Sequence, residues 1–339
     1  MSIQVSVVVP TYKRPDLLRK CLDALIKQEF PPNAYEIIVV DDAGCEETKS
    51  LVMEFVGRTQ QPVMMTLPMS GPETDSCPQI RYTVAAETQG PAAARNVGWR
   101  MARGEVIAFT DDDCLPAPDW LKEGVEAIQS GWDGVSGQVI VPIPNDPTDY
   151  EKNIARLHEA EFVTANCFYR RFALDASGGF DERFTMAWRE DADLFFHLLT
   201  RSYKLGYAPT AKVIHPVRHA PWGISIHEQQ KSVFNALLFK KYPQLYRERI
   251  QSRPPIRYYA ILFSIIGFLV AFVMGNKYFA WFMAFLWTGL TLQFAFQRLR
   301  GTKHTLSHIL EMLFTSIAIP PLSIFWRLAG AWRYKVLFF

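Results

Sequence analysis

Val106-Ile107-Ala108-Phe109-Thr110-Asp111-Asp112-Asp113-Cys114 is a run of strand-forming residues that ends in three consecutive carboxylates, and Pro116 and Pro118 close it off. The pattern predicts a buried strand that ends in an acidic turn. Side chains alternate along an extended backbone, so Asp111 and Asp113 are expected to face one way and Asp112 the other. Two carboxylates held side by side repel each other unless a cation sits between them or one takes up a proton. Hard oxygen donors at the carboxyl end of a strand suit Mg2+ or Mn2+, which keeps waters and shares its remaining positions with substrate phosphates. The other reading of three acidic residues here is a helix N-cap and its neighbours.

Upstream, Val5-Ser6-Val7-Val8-Val9 is the nearly continuous apolar run of a parallel strand covered on both faces. A turn follows, Pro10-Thr11-Tyr12-Lys13-Arg14-Pro15, and Asp16 is placed to cap a helix with Leu17, Leu18, Cys21, Leu22 and Leu25 at helical spacing. Glu36-Ile37-Ile38-Val39-Val40 reads as the next strand and ends in Asp41-Asp42, with a helix over residues 46–56. This alternation predicts an α/β fold: a doubly wound, mostly parallel sheet flanked by helices, with ligands at the carboxyl ends of its strands. Residues 59–82 hold five Pro or Gly, so residues 64–67 read as a short strand followed by a long loop. Gly90-Pro91-Ala92-Ala93-Ala94-Arg95-Asn96-Val97-Gly98 opens a helix with Pro in its first turn. Arg95 on it is placed to reach a phosphate or a base pocket, or else points to solvent. A short helix over 120–128 and a strand over 135–141 follow the acidic turn.

Several function classes lose support. No Gly-x-Gly-x-x-Gly follows the first strand, and there is no Walker loop or His-Glu-x-x-His. A formal net charge of +2 offers no large basic field for nucleic acid. The five cysteines are scattered without a Cys-x-x-Cys pair, so neither a disulfide framework nor a zinc site is expected, and reduced thiols in the cytosol fit best. The chain enters a strand without a basic and then apolar leader, so no secretory signal is expected.

The blocks quoted above, with Gly178-Gly179-Phe180-Asp181-Glu182 and Glu190-Asp191, stand in an order and spacing that resembles family 2 glycosyltransferases of the GT-A fold, over roughly residues 3 to 220. The resemblance implies a nucleotide-diphosphate sugar donor (a UDP-sugar is favoured), a divalent metal, Mg2+ or Mn2+, and inversion at the anomeric carbon. By the family's pattern Thr11, Tyr12 and Arg14 line the nucleoside, with Pro10 and Asp112 counted to the same pocket. Asp41 accepts from the base imino group, Asp111 touches the ribose and Asp113 binds metal. His215 ends the apparent strand over 211–214; in some relatives a histidine here completes the metal site, and imidazole suits Mn2+ more than Mg2+.

Transfer to a hydroxyl also needs a base, a partly desolvated carboxylate near the acceptor. Residues 188–199 read as a helix, on which Asp191 shares a face with Leu194, Phe195 and Leu198 and so points inward, whereas Glu190 and Asp193 point sideways. Asp191, with Glu190 beside it, is the expected base; burial raises its pKa while the helix N-terminus lowers it, and the sequence leaves the balance open. Asn166, on an apparent strand, and Trp188 are assigned to the acceptor side, although Asn166 fits equally as a satisfied core amide.

The last third of the chain concerns location. Residues 258–276 carry no charge, nor do residues 278–297, and each stretch is long enough to cross a hydrocarbon core. Lys240, Lys241, Arg247, Arg249, Arg253 and Arg257 precede the first stretch and Arg298, Arg300 and Lys303 follow the second, which places both flanks, and the N-terminal domain, in the cytoplasm. A third apolar stretch is broken by Pro320-Pro321 and flanked by Arg327, Arg333 and Lys335, so a bent segment that enters and leaves on one side is expected, with a third crossing as the alternative. Residues 228–242 place Val233, Phe234, Leu237 and Leu238 on one stripe, either an interfacial helix or an ordinary packing one.

The expected organisation is a GT-A domain over 1–225, an amphipathic linker over 226–257, and a membrane domain over 258–339. That domain holds a helical hairpin and a re-entrant or third span over 305–330. The expected protein is a multi-pass inner-membrane enzyme that moves one sugar to a lipid-linked acceptor. Two alternatives stay open. One is a catalytically silent nucleotide-sugar-binding scaffold; the other is a processive polysaccharide synthase, which calls for more spans and a Gln-x-x-Arg-Trp after the base, absent here.

Overall fold

The computed structural model describes residues 2–60, 77–85 and 90–338. β1 (Val5–Thr11) is covered on both faces, as its unbroken apolar run requires. It pairs in parallel with β2 (Tyr35–Asp41), Thr11 opposite Asp41, and β2 pairs in parallel with β3 (Gln79–Val84). On its other side β1 pairs in parallel with β4 (Val106–Phe109), Val8 opposite Phe109. β5 (Leu115–Pro116), β6 (Gly134–Ile140), β7 (Cys167–Arg170) and β8 (Leu205–Ile214) complete one sheet in the order β3-β2-β1-β4-β7-β6-β8-β5. β7 runs antiparallel to β4 and β6, and β5 antiparallel to β8; the remaining pairs are parallel. The strand order reverses between β1 and β4, where open α/β sheets leave a crevice at the strand ends.

Helices α1 (Pro15–Leu25), α2 (Glu46–Gln60), α3 (Pro91–Met101) and α4 (Trp120–Gln129) serve this sheet. α1 buries Leu18, Cys21, Leu22 and Leu25. Arg14 holds its cap position and Pro15 its first turn, so Asp16 lies inside the helix instead of capping it. α3 lies so close to the sheet that a Cβ on Gly98 would come within 2.3 Å of Val8 Cγ1. β3 falls where the sequence suggested a loop. It is recruited by its ladder to β2, and Arg81 on it pairs with the buried Glu36 of β2 at 3.1 Å, so it shows little of the apolar patterning that marks an interior strand. The short strand expected at 64–67 lies outside the described residues.

The chain divides into two compact units: Met1–Pro142 with Leu157–Pro216, and Ile143–Arg156 with Val217–Phe339. α5 (Asp149–Ala155) belongs to the second unit and opens with a capping box between Thr148 and Glu151. α6 (Arg171–Ser177) and α7 (Glu190–Thr200) return to the first.

The second unit continues with α8 (Ile224–His227), α9 (Val233–Lys241), α10 (Pro243–Arg249), α11 (Ile256–Val273), α12 (Lys277–Leu299) and α13 (Leu306–Arg333). α11, α12 and α13 are long and apolar enough to cross a membrane, and only 17%, 28% and 33% of their apolar windows are buried. Soluble core helices would cover side chains such as Phe263, Val273 and Phe285, which here stand exposed. The sequence suggested a break at Pro320-Pro321, yet α13 runs straight through both prolines. Each proline removes one backbone hydrogen bond, a loss that packing against neighbouring helices tolerates. α9 buries Val233, Phe234, Leu237 and Leu238, and a Cβ on Gly330 of α13 would meet the Val233 carbonyl oxygen at 2.6 Å. It is a packing helix within the unit.

One polar knot stands out in this apolar unit. Arg298, in the last turn of α12, reaches Asp149 Oδ2 of α5 through Nη2 at 2.7 Å and Nε at 3.2 Å. Its remaining donors go to the hydroxyls of Ser225, Thr315 and Ser316.

Candidate active site

β4 ends at Phe109, and Asp111-Asp112-Asp113 form a turn closed by the Cys114 N–H on the Asp111 carbonyl at 3.1 Å. No helix starts here, since α4 begins at Trp120, so the helix-cap reading falls away. The three carboxylates part company. Asp112 is buried against the end of β1, where it accepts from Thr11 Oγ1 at 2.8 Å and from Arg14 Nη1 at 3.3 Å. Burial pushes its carboxyl up to about 6, against the pull of Arg14. Asp111, Asp113, Cys114 and His215 instead bring one donor atom each to within 4.8 Å of one another. His215 Nε2 stands 3.6 Å from Asp113 Oδ1, and the Cys114 thiol 3.9 Å from the same oxygen. The His215 ring is buried, its Nδ1 has no hydrogen-bond partner among the described residues, and the backbone N–H of His215 donates to the Ile140 carbonyl, which ties the residue to the end of β6. Two carboxylates, an imidazole and a thiol converging at strand ends fit a divalent cation. Burial, and then the charges of Asp111 and Asp113, hold the Cys114 thiol well above its usual range.

The second acidic strand end is occupied differently. Asp41 Oδ1 accepts the Ala43 N–H at 2.9 Å, and Oδ2 accepts the Cys45 N–H at 2.8 Å and the Tyr82 hydroxyl at 3.0 Å. It is fully buried and shapes the turn after β2. Asp42 accepts the Gly90 N–H through both oxygens, at 3.1 and 2.9 Å, and so holds the start of α3. Pro10 is half-buried, and the Tyr12 ring stands open.

Arg95 neither points to solvent nor reaches outward from α3. It is 3% exposed and lies between two acids, with Nη2 2.7 Å from Asp111 Oδ1 and Nη1 3.0 Å from Glu190 Oε1. Burial disfavours its charge, but the two carboxylates outweigh that and raise its pKa further. The helix reading of residues 188–199 needs correcting on one point. Glu190 and Asp193 are buried, each 3% exposed, and Asp191 is the half-buried one. Because α7 is covered on nearly every side, apolar spacing could not tell which acid faced inward. Burial raises Glu190 and Asp191 above the ordinary carboxylate range, although Arg95 pulls both down. For Asp191 burial also outweighs the hydrogen bond from the Ala192 N–H at 2.7 Å, which resolves the balance that the sequence left open.

A profile of the family described as glycosyl transferase family 2 matches residues 6–193, more than half of the chain. The chain belongs to glycosyl transferase family 2. Among curated relatives, glycosyltransferase AglE of Haloferax volcanii is 28% identical over 235 residues, which is 66% of this chain and 70% of that one. Other relatives are matched over as little as 14% of their length. A mannosyltransferase from Pyrobaculum calidifontis, solved with GDP-Man and Mn2+, superposes with a TM-score of 0.56 at 19% identity, covering 98% of this chain and 88% of that one. S. aureus TarS 1–349, solved with UDP-GlcNAc, gives 0.50 at 14% identity, covering 98% and 93%. At these identities the structures establish the shared GT-A-like fold.

In this glycosyltransferase two residues assigned to the acceptor side part ways. Asn166 is a core amide and lines no surface. It sits in a 3-10 turn one residue before β7, accepts Trp120 Nε1 at 2.8 Å, and donates to the carbonyls of Gln138 at 3.0 Å and Ala211 at 2.8 Å. Trp188 is 37% exposed and stacked under Arg189, 4.4 Å from guanidinium to ring centre. Arg189 adopts φ 78° at the cap of α7, so that helix begins later than its sequence suggested. Cys114 was missed as a site residue, because a single cysteine beside three aspartates carries no spacing signal. Asn96 was passed over too; it ties α3 to the loop before α7 through the Phe180 backbone and Glu182.

Proposed function

We propose that this glycosyltransferase is metal-dependent and inverting, and moves one sugar from a nucleotide-diphosphate sugar to a lipid-linked acceptor at a membrane. The observation that carries the reading is the arrangement around Arg95. One buried guanidinium joins Asp111, a member of the cation-binding group, to Glu190, the neighbour of Asp191. The groups that would handle the departing diphosphate and the incoming hydroxyl therefore share one rigid support. A nucleotide-sugar donor is supported by the family and by the GDP-Man and UDP-GlcNAc in the two neighbours.

A Mg2+ or Mn2+ ion held by Asp113 and His215, with Asp111 beside it, would offset charge on the diphosphate. The protein's own groups do the rest. Thr11 and Arg14 hold Asp112, and with it the turn, against the end of β1. Asp191, half-buried and raised in pKa, takes the acceptor proton as the hydroxyl attacks the anomeric carbon on the face opposite the diphosphate, in a single displacement. Arg95 keeps Glu190, and through it the first turn of α7, in place. By the family's pattern Tyr12 and Arg14 line the nucleoside. Asp41, whose oxygens already accept three hydrogen bonds, supports that wall as much as it contacts a base.

The membrane part of the reading rests on α11, α12 and α13 and on the basic residues that flank them. It places the catalytic unit on the cytoplasmic side of an inner membrane, next to an acceptor borne on lipid. The test uses purified full-length protein in native lipid with a panel of radiolabelled nucleotide sugars. Sugar should pass to the lipid fraction, a chelator should stop it, and Asp113→Asn and Asp191→Asn should each abolish it while donor-free folding stays intact. Transfer that survives the chelator, or normal turnover by Asp191→Asn, overturns the corresponding part.

A further inference from the structure

The donor group at the acidic turn is not made of oxygen alone. The Cys114 thiol is fully buried and stands 3.9 Å from Asp113 Oδ1, and the His215 Nε2 stands 3.6 Å from that same oxygen. Zinc-like ions bind sulfur, imidazole nitrogen and carboxylate oxygen at about 2.0–2.3 Å, so their donors sit roughly 3.3–3.8 Å apart. The two separations, 3.9 and 3.6 Å, are close to that range before any ion draws the side chains in. The His215 side chain is buried, directed at Asp113, and has no hydrogen-bond partner at Nδ1 among the described residues. Mg2+ and Mn2+ prefer hard oxygen donors and make little use of a thiol, whereas Co2+, Zn2+ and Cd2+ gain from thiolate and imidazole.

We propose that Cys114 makes this pocket a second kind of metal site: with Asp113 and His215 it forms a sulfur, oxygen and nitrogen set that captures soft divalent cations. This rests on the reading of Asp113 and His215 as cation ligands and adds a ligand to it. Capture forms a metal–sulfur bond as the thiol S–H bond breaks; the proton leaves to solvent and no electrons change hands. A soft cation held by the thiolate takes the place of the hard ion, so Zn2+ and Cd2+ act as inhibitors that compete with Mn2+. Cys21, the other buried thiol nearby, is engaged with the Asp111 carbonyl at 3.5 Å and lies outside the set.

The experiment titrates the full chain in detergent, without donor, with Co2+ and separately with Mn2+. The half-buried Cys45 and Cys77 are replaced by Ser to remove background thiols. Co2+ should raise a thiolate-to-metal charge-transfer band that saturates at one equivalent. Cys114→Ser and Cys114→Ala should each lose the band and weaken Cd2+ binding by about tenfold or more, while Mn2+ binding, read by electron paramagnetic resonance, persists. If Mn2+ binds and Co2+ raises no band in the native chain, or a band that survives both variants, the inference falls and the proposed function stands. If neither ion binds, both fall.

Discussion

Arg95 and Arg298, one in each unit, both hold side-chain ion pairs with little exposure, and their surroundings differ in kind. Arg95 lies between two carboxylates, Asp111 and Glu190, in the sheet domain. Arg298 has one carboxylate, Asp149, and spends its other donors on the hydroxyls of Ser225, Thr315 and Ser316 at the end of an apolar helix bundle. The second arrangement neutralises its charge and satisfies its hydrogen bonds, which is what holding α5, α12 and α13 together requires. The first leaves an excess of negative charge and raised carboxyl pKa values beside it, which a purely structural ion pair has no use for. Similar burial thus accompanies two different tasks, and the count of carboxylates around each guanidinium separates them.

The largest effect is expected from Arg95→Met. It takes the counter-charge from the buried Glu190 and the half-buried Asp111, so stability should drop by about 3 kcal/mol and transfer by ~100-fold through misplacement of α7. Because Arg95 lowers the pKa of both Glu190 and Asp191, the rising limb of the pH–rate profile should also move to higher pH. Arg298→Met should cost about 3–5 kcal/mol by the same unpairing, read as thermal unfolding in lipid. It should leave the pH profile of the remaining folded enzyme where it was. A profile that shifts as it does in Arg95→Met would erase the distinction between the two arginines.

A smaller effect is built into the native chain. Asp191 works as a base only when deprotonated, so transfer should rise with pH, along a limb displaced above the ordinary aspartate range. Stability has the opposite sign. Glu190, raised from 4.5 to about 7, favours the folded state at pH values below its unfolded pKa, and that contribution is lost as pH rises through about 7. Opposite trends of rate and unfolding temperature between pH 5 and 8 would mark the pair around Arg95 as chemical; parallel trends would not. The smallest change is expected from Asn166→Ala, which leaves the Trp120 indole N–H and two carbonyls unpaired at about 1–3 kcal/mol with acceptor KM unchanged. A raised KM would return Asn166 to the acceptor side.

The acidic turn was legible because its signal is local: apolar strand residues, then carboxylates, then prolines, all within a dozen positions. The parallel strands β1 and β2 were legible for the same reason. Arg95 was recognised as a candidate, but its partners lie 16 and 95 residues away, and nothing in the helix pattern announces them. Glu190 and Asp191 were read in reversed burial because a helix packed on nearly all sides has no single inward face. Asn166 and β3 depend on pairing with distant strands, so an apparent strand residue became a turn and an apparent loop became a strand.

Order along the chain was enough to establish the alternating α/β architecture, the family and the apolar stretches long enough for a bilayer, since each follows from spacing within one element or its neighbours. The convergence of Asp111, Asp113, Cys114 and His215, the two ties of Arg95, and the continuity of α13 through Pro320-Pro321 came from three-dimensional packing. Charges and donors act through distance in space, and residues a hundred positions apart meet only when the sheet brings their strand ends to one edge.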